Sequence, residues 1–271
     1  MIGYGNSMFL RRKYVTVPGV DPDAQAFITA ASITDPTQQS AINQLVVDLK
    51  GYNVWSKMKA IYPIVGGTAA THKWNLKDPR DLDAAFRLTF TNAWTHSSTG
   101  MTPNGANTFA NTFYNLSTNS TTSNVSGGFY SRTNVVNGGA TFGALSASLT
   151  GLAVTIKNND QNTYWAVNDS ILTGPSNIVT DTRGLFVLNK VSLSEKRIYR
   201  NGSQISTFTP SSNTAPSLNV YLGARNNNGT AGQYDTRELA FAYLGDTLTN
   251  TEVSNMYTAV QAYQTTLSRQ V

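Results

Sequence analysis

The sequence predicts a mainly β protein, an antiparallel sandwich with short helices near the N-terminus and one amphipathic helix at the C-terminus. From Thr71 onward, short runs of β-forming residues alternate with turns rich in Asn, Gly and Ser, as expected of two packed sheets. The pair Asn201-Gly202 lies between two such runs, which is the strongest local signal of a β-hairpin. Thr249 and Glu252 form a capping box ahead of apolar residues at helical spacing.

Prolines preceded by aspartate predict the N-terminal helices. Asp21-Pro22 and Asp35-Pro36 each place an N-cap before a proline in the first helical turn, and Gln38 completes a capping box with Asp35. Apolar residues at helical spacing follow the second cap. We therefore expect a helix over residues 37–50, ended by Gly51.

The middle of the chain carries weaker signals. A third helix is expected over residues 53–62, because apolar residues recur there and Pro63 follows. Residues 104–127 form a long polar tract, which predicts either a variable surface loop or a pair of edge strands. The expected strands of this region are residues 86–90, 128–132, 151–156, 163–168 and 184–188.

The C-terminal third predicts two further strands and a helix. Residues 219–224 are expected to form a strand, 225–229 a polar loop, and 238–244 a strand that is buried because it is apolar on both faces. The helix that follows the capping box presents one apolar stripe, formed by Val253, Met256, Tyr257, Val260 and Leu267.

This order of elements resembles the C-terminal part of concanavalin A-like, laminin-G-like jelly rolls of bacteriophage virion proteins (head-fibre, decoration or tail-fibre type) and of some secreted bacterial proteins. The resemblance lies in Tyr199-Arg200-Asn201-Gly202, in residues 221–226 and in residues 238–246 with the helix behind them. Residues 78–98 also resemble the start of this domain in phage structural proteins. The resemblance implies a jelly roll over residues 71–271, with residues 1–70 as an N-terminal arm and helical attachment region. The alternative is that the N-terminal helices cap one open end of the sandwich.

Composition limits the chemistry. Charged residues are 13% of the chain, about half the roughly 25% of an average soluble domain, and such neutral surfaces are typical of durable extracellular or virion proteins. The chain has no Cys and two His, so neither a disulfide framework nor a zinc site is expected. No signal peptide and no membrane span is recognisable. We therefore expect the protein to reach the outside of a cell on an assembled virus particle.

The net charge of +5 does not predict nucleic-acid binding, because the basic residues are not clustered with aromatic residues. One basic cluster, Arg11, Arg12 and Lys13, is a candidate for attachment to an acidic partner, with a solvated arm as the alternative. The other cluster, Lys196-Arg197 with Arg200, belongs to the predicted hairpin, where charge protects a sheet edge.

Glycan binding needs aromatic ring faces together with short polar side chains in surface loops. The candidates are Trp94, Tyr130, Tyr164, Trp165, Tyr234, Asn226, Asn227, Asn228 and Asp235. The alternative is that the tryptophans belong to the core and that the Asn-rich loop is only a turn. No cofactor or metal is predicted; calcium could sit among Asp and Asn oxygens, but no spacing specifies it.

An enzyme is not expected. A glycosidase needs two facing carboxylates, whereas Glu252 is assigned to a helix cap, Glu195 lies beside a turn and Glu238 opens a strand. Asp81 and Asp83 could share a strand face, but Asp78-Pro79 before them favours a loop. No Gly-x-Ser-x-Gly elbow with its Asp and His partners is present.

The function that we predict is that of a non-enzymatic bacteriophage virion structural protein, which displays a lectin-like jelly roll for surface decoration and for adhesion to host glycans. Its expected partners are capsid or tail proteins, bound through the N-terminal region, and sister copies in a homo-oligomer such as a trimer. The alternative is a secreted or cell-surface bacterial carbohydrate-binding protein. A glycoside hydrolase with the glucanase-like fold comes third.

Overall fold

A computed structural model describes residues 19–174 and 177–271. Within them the chain forms five α-helices, two single turns of 3-10 helix and seventeen strands, which assemble into two sheets. The predicted attachment residues Arg11, Arg12 and Lys13 lie outside the described residues. The mainly β class that the sequence predicts is confirmed.

The helices are α1 (Pro22–Ala30), α2 (Pro36–Gly51), α3 (Ala69–His72), α4 (Leu116–Asn119) and α5 (Asn250–Thr266). The strands of the first half are β1 (Met58–Tyr62), β2 (Thr89–Thr91), β3 (Thr95–His96), β4 (Met101–Thr102), β5 (Phe109–Asn115), β6 (Ser126–Ser131), β7 (Phe142–Leu145) and β8 (Thr150–Thr155). Those of the second half are β9 (Tyr164–Ser170), β10 (Leu172–Thr173), β11 (Gly184–Ser192), β12 (Glu195–Arg200), β13 (Ser203–Phe208), β14 (Asn219–Leu222), β15 (Arg225–Asn227), β16 (Thr230–Gly232) and β17 (Leu239–Gly245).

Two sheets stack as a jelly-roll sandwich. Sheet A has the strand order β13-β12-β11-β6-β17-β4-β3, and β1 also pairs with β17. Sheet B has the order β10-β9-β8-β7-β14-β5-β2, and the small hairpin of β15 and β16 joins it along β7. The pairing is antiparallel except between β15 and β7. Neighbouring strands are often distant in sequence, as the crossovers of a jelly roll require.

The described residues form two main apolar cores, one on each face of sheet A. One core fills the space between the sheets and includes Phe129, Trp165 and Phe186. The other lies between the opposite face of sheet A and helices α1, α2 and α5. Sheet A is therefore covered on both faces, and all seven residues of β17 are buried. This confirms the prediction that the strand at residues 238–244 is buried.

Local signals identified several elements correctly. Asn201 and Gly202 have φ angles of 49° and 76°, as a type I′ turn requires, and they join β12 to β13. The Thr249 hydroxyl accepts from the Glu252 N–H at 3.2 Å, and the Glu252 carboxylate accepts from the Thr249 N–H at 2.7 Å. The predicted capping box of α5 is therefore formed on both sides.

The predicted third helix is wrong. Only Trp55–Lys57 is helical, as a single 3-10 turn, and Met58–Tyr62 forms β1, which pairs with β17. Ile61 faces the helical core, whereas Ala60 and Tyr62 face the core between the sheets. When a segment is buried on both faces, polar residues do not recur along it at a regular spacing. The spacing of its apolar residues therefore cannot distinguish a helix from a strand.

The polar tract at residues 104–127 is neither a surface loop nor a pair of edge strands. Its segment β5 lies inside sheet B between β14 and β2. Helix α4 follows, and the tract ends in β6, which lies between β11 and β17. The expected strand at residues 86–90 is shorter, because Phe86 adopts φ 57° after a 3-10 turn and β2 begins at Thr89.

Helix α2 matches the expected range, but its ends differ. The Asp35 carboxylate accepts from the Gln38 N–H at 2.9 Å, whereas the Gln38 side-chain oxygen has no hydrogen-bond partner, so the capping box is only half formed. At the C-terminal end the left-handed residue is Asn53, with φ 59°, and Gly51 is still helical.

The N-terminal helices cover the outer face of sheet A together with α5, and they do not close an open end of the sandwich. Helix α2 packs against α5, and β1 extends sheet A beside β17. The boundary at residue 70 and the attachment role of residues 1–70 stay predictions.

Candidate functional site

Three predicted aromatic candidates fill the cores. Tyr130 and Trp165 are fully buried, and Trp94 is 8% exposed. The indole N–H of Trp94 donates to the Phe109 carbonyl at 3.3 Å, and the Tyr130 hydroxyl donates to Gln261 Oε1 at 3.0 Å. The prediction that these rings face a sugar is wrong, because large rings gain more from filling a core than from lying at the surface.

Two of the polar candidates are also buried. The Asn226 amide donates to the Asn219 carbonyl at 2.9 Å and accepts from the Gly229 N–H at 2.8 Å. Asp235 is 1% exposed and accepts from the Arg237 guanidinium at 2.7 Å. These residues hold the local backbone in place, so their prediction as ligand contacts is wrong.

The remaining candidates are accessible but do not form one cluster. The predicted loop at residues 225–229 is a hairpin of β15 and β16, whose turn has Asn228 and Gly229 at φ 51° and 98°. Asn228 is exposed at its tip, and the Asn227 amide oxygen accepts from the Arg225 Nε–H. Tyr234 is half-buried and donates to the Ala231 carbonyl at 3.0 Å.

A groove does form on the face of sheet B that points away from the sandwich core. In β8, Leu152 and Val154 point into the core between the sheets, so Ala153 and Thr155 point outward. In β9, Trp165 points inward, and Tyr164 and Ala166 point outward. The outward alanines pack with Leu145 and Ile171 into a small third apolar cluster.

The groove beside this cluster has a volume of about 270 Å³. Five segments of the chain line it. The lining residues are Gly138, Leu149, Thr155, Asn158, Tyr164, Ile171, Arg225 and Gln233. The lining therefore combines one aromatic ring, two aliphatic side chains, two amides, a hydroxyl and a guanidinium. Such a mixture of apolar surface and a few convergent polar groups is typical of ligand sites.

Tyr164 is held in one orientation. Its hydroxyl donates to Asp160 Oδ2 at 2.6 Å, and Asp160 Oδ1 accepts from the Asn162 N–H at 3.0 Å. The hydrogen bond from Tyr164 is the main reason that the pKa of Asp160 is lowered. The tyrosine thus keeps its ring beside the groove while its polar end is already satisfied.

Two residues on the rim have unusual backbone conformations. Leu149 is 46% exposed and has φ 60°, and Gln233 is exposed with φ 52°. A bulky apolar residue rarely adopts the left-handed region, and such strained residues cluster at ligand sites. Both residues flank the groove.

Arg225 supplies the charge of the groove. It begins β15, whose parallel pairing with β7 places it over the outward face of sheet B. Its side chain is half-buried, and burial lowers its pKa. The Nε–H donates to Asn227 Oδ1, and no ion pair forms between Arg225 and any carboxylate of the described residues.

A second polar cluster lies at residues 67–99. The Nδ1 atoms of His72 and His96 are 3.0 Å apart, and His72 Nε2 accepts from the Gly67 N–H at 3.1 Å. His72 is 1% exposed and His96 is half-buried. Burial lowers the pKa of His72 to about 3, helped by repulsion from His96 and Arg269, and burial lowers the pKa of His96 too.

The three glutamates of the chain each form an ion pair with a cationic side chain. Glu252 lies 2.5 Å from Lys57, Glu195 2.7 Å from Arg197, and Glu238 2.9 Å from Arg132. Asp81 and Asp83 both pair with Arg87. Within residues 19–174 and 177–271, no three His, Asp or Glu side chains lie close enough together to hold a metal ion. No helix in the same ranges has the length and apolar character needed to cross a bilayer.

Sequence reasoning named Tyr164 but missed Arg225, Gln233 and Leu149 as lining residues. The available signal was an arginine directly before three asparagines, ten residues from the nearest acidic residue in sequence. That signal is weak, because only the pairing of β15 with β7 brings Arg225 beside Tyr164.

Comparisons with solved structures show the same fold in toxin binding domains. The binding domain of botulinum neurotoxin serotype D matches with a TM-score of 0.51 and 8% identity, over 75% of this chain and 52% of that chain. A structure of botulinum neurotoxin type C, whose cell entry depends on interaction with two ganglioside molecules, gives 0.52 and 12% identity, over 77% and 53%.

The NanB sialidase of Streptococcus pneumoniae matches over 51% of this chain and 24% of that chain, with 16% identity and a TM-score of 0.40, too low to support an argument. The chain spans about half the length of the toxin domains and about a quarter of the sialidase. No protein-family model and no curated protein matches the sequence. At identities of 8% and 12%, the likeness to the toxin domains shows a shared fold and not a shared function.

Proposed function

We propose that this protein is a non-enzymatic, lectin-like module that binds glycans in the groove between Tyr164 and Arg225. The observation that carries the proposal is the groove itself, in which one fixed aromatic ring lies beside amides, a hydroxyl and a guanidinium. Sugars present apolar C–H faces that pack on aromatic rings and hydroxyl groups that pair with such polar side chains. The fold that the chain shares with toxin binding domains agrees with a binding role.

The test is glycan-array binding by the full chain and two variants, followed by titration calorimetry on any glycan that binds. Tyr164→Ala removes the ring from the groove and should reduce affinity at least tenfold, because ring stacking and apolar contact are lost together. Asn228→Ala changes an exposed residue at the hairpin tip that does not line the groove, and it should bind like the wild type. Glycan binding that survives Tyr164→Ala would contradict the groove as the site.

We further propose that the protein is displayed on a bacteriophage particle, where it adheres to host glycans. This proposal rests on the sequence motifs that resemble phage virion proteins. Because α2 packs on α5 and β1 pairs with β17, residues 19–62 belong to the folded body. The attachment and oligomerisation proposed for residues 1–70 are tested first at residues 1–18, which carry Arg11, Arg12 and Lys13.

Light scattering on the full chain and on a chain that begins at Gly19 tests this assignment. A trimer or larger oligomer that becomes a folded monomer on truncation supports particle attachment. Monomers in both cases contradict it and favour the alternative, a secreted or cell-surface bacterial carbohydrate-binding protein.

A further inference from the structure

The guanidinium of Arg225 has more hydrogen-bond donors than partners. A guanidinium carries five N–H groups in a planar fork. Within the described residues, the one side-chain hydrogen bond of Arg225 is the donation from Nε to Asn227 Oδ1. The two terminal nitrogens, which form the outer edge of the fork, therefore have no protein acceptor in the part of the chain that the structure describes.

No carboxylate of this chain neutralises Arg225. All 15 acidic residues lie within the described ranges, because residues 1–18 and 175–176 contain no Asp or Glu. None of the ion pairs of the described residues includes Arg225, and burial is the cause that lowers its pKa. The Asp160 carboxylate, which binds the Tyr164 hydroxyl, also accepts from the Asn162 N–H.

The half-buried guanidinium of Arg225 is partly desolvated and has no ion-pair partner in the described residues, and its terminal nitrogens keep access to solvent. The two fully buried arginines of the described residues have oxygen partners for their terminal nitrogens, although the Nε of Arg237 has none. Arg237 pairs with Asp235 at 2.7 Å, and Arg269 donates to the carbonyls of Ile64, Pro63 and Ala240 at 2.7 to 3.0 Å. Arg225 differs from both in that no protein oxygen of the described residues accepts from its terminal nitrogens, and it lines the groove.

The shape and lining of the groove limit the ligand. A volume of about 270 Å³ lies below the roughly 300–1,000 Å³ of drug-sized pockets and fits one sugar unit. Tyr164, Leu149 and Ile171 offer apolar surface, whereas Asn158, Gln233 and Thr155 offer donors and acceptors for hydroxyl groups. The planar fork of an arginine matches a planar carboxylate through two parallel hydrogen bonds.

From this arrangement we infer that the groove binds an acidic sugar, a hexuronic acid unit whose carboxylate pairs with the outer edge of the Arg225 guanidinium while its ring packs against Tyr164. The inference rests on the proposed glycan-binding function and names the class of glycan.

The experiment measures the binding of three ligands to the full chain by titration calorimetry. The ligands are methyl glucuronoside, its carboxyl methyl ester and methyl glucoside. The free acid should bind at least tenfold more tightly than the other two, because both lack the charge that Arg225 requires. This comparison uses the wild-type protein alone and so does not depend on whether a variant folds.

Three variants locate the effect. Arg225→Gln should bring the affinity for the acid down to that for the glucoside, and Arg225→Lys should restore part of it, because an ammonium keeps the charge but not the bidentate fork. Arg80→Gln removes the same net charge from a residue whose side chain is 63% exposed and lies outside the groove, and it should leave binding unchanged.

The outcomes separate this inference from the proposed function. Equal affinity for acid, ester and glucoside, lost in Tyr164→Ala, overturns the acidic sugar and leaves glycan binding standing. Preference for the acid that persists in Arg225→Gln overturns the role of Arg225. Binding of sulfated but not of carboxylated sugars overturns the ligand class. Binding of no glycan overturns both proposals.

Discussion

The buried His72–His96 pair should make the protein unstable in mild acid. His72 Nε2 accepts from the Gly67 N–H, so the proton of neutral His72 sits on Nδ1 and is donated to His96 Nδ1 across 3.0 Å. Protonation of His72 would place a second N–H against the Gly67 N–H and a charge beside Arg269. The folded protein therefore resists protonation.

The size of the effect follows from the difference in pKa between the unfolded and folded states. The pKa of His72 falls from its ordinary 6.5 to about 3 in the folded protein, so between these values the unfolded chain binds more protons. The stability due to neutral His72 is fully present above pH 6.5 and is lost as pH falls towards 3. At pH 4.5 the loss amounts to about 2.7 kcal/mol, at roughly 1.4 kcal/mol for each pH unit.

Urea unfolding at pH 7.5 and pH 4.5, monitored by tryptophan fluorescence, measures this loss. The matched variant is His72→Gln, whose side chain is neutral at both values and can still accept from Gly67 and donate to His96. Carboxylates that titrate in this range change the free energy of unfolding of both proteins alike. The difference between wild type and variant therefore reports the contribution of His72. Wild type should lose about 2 to 3 kcal/mol more than the variant between the two pH values. Equal losses would refute the reasoning, because they would show that His72 takes up no proton on unfolding.

Two other predictions concern residues at strained or desolvated positions. Lys190 and Lys196 are both fully buried beside one carboxylate, that of Asp169. Lys196 forms an ion pair with this carboxylate at 2.6 Å. Lys190→Met should therefore stabilise the fold by about 1 to 3 kcal/mol at pH 7 in urea melts, whereas Lys196→Met should destabilise it by about 3 kcal/mol. Two losses of equal size would contradict the conclusion that only Lys196 is the ion-pair partner of Asp169. Because burial lowers the pKa of Lys190 to about 8, wild-type stability should also rise between pH 8 and 10.5, and this rise should be smaller in Lys190→Met, where the lowered pKa of Lys196 still contributes. At Gly223, φ is 75° and an added Cβ would overlap the Trp94 ring, so Gly223→Ala should cost about 3 kcal/mol or more in thermal melts. Gly229→Ala, with φ 98° but open space around it, should cost about 1 to 2 kcal/mol, and equal costs would show that the Trp94 contact is unimportant.

The elements that sequence reasoning placed correctly are those whose signals are local. The Asn201-Gly202 turn needs only two residues that tolerate positive φ, and the capping box of α5 needs only Thr249 and Glu252. Each motif satisfies its own backbone groups within a few residues, so tertiary context does not have to supply them.

The elements that sequence reasoning misplaced depend on distant parts of the chain. Segment β1 is a strand because β17 offers it a pairing edge, and no feature of residues 53–62 reports that edge. Trp94 and Trp165 are aromatic candidates in any sequence-based search, yet the packing of two sheets decided that they are core. Arg225 became a binding candidate only through the pairing of β15 with β7. A site assembled from five segments has no signature in any one of them.

The pairing of β1 with β17 also constrains how the chain folds during its synthesis. Met58 pairs with Gly245, so the partner of the first strand of sheet A is synthesised roughly 190 residues later. At bacterial rates of synthesis, this delay is about 10 to 40 s. Until then β1 is an unpaired edge, apolar except for Lys59, that another nascent chain could capture. Non-local pairing of this kind slows folding and prolongs exposure to aggregation. High-level expression should therefore give more soluble protein at low temperature or with added chaperones, because both reduce encounters between chains that still lack their last strand.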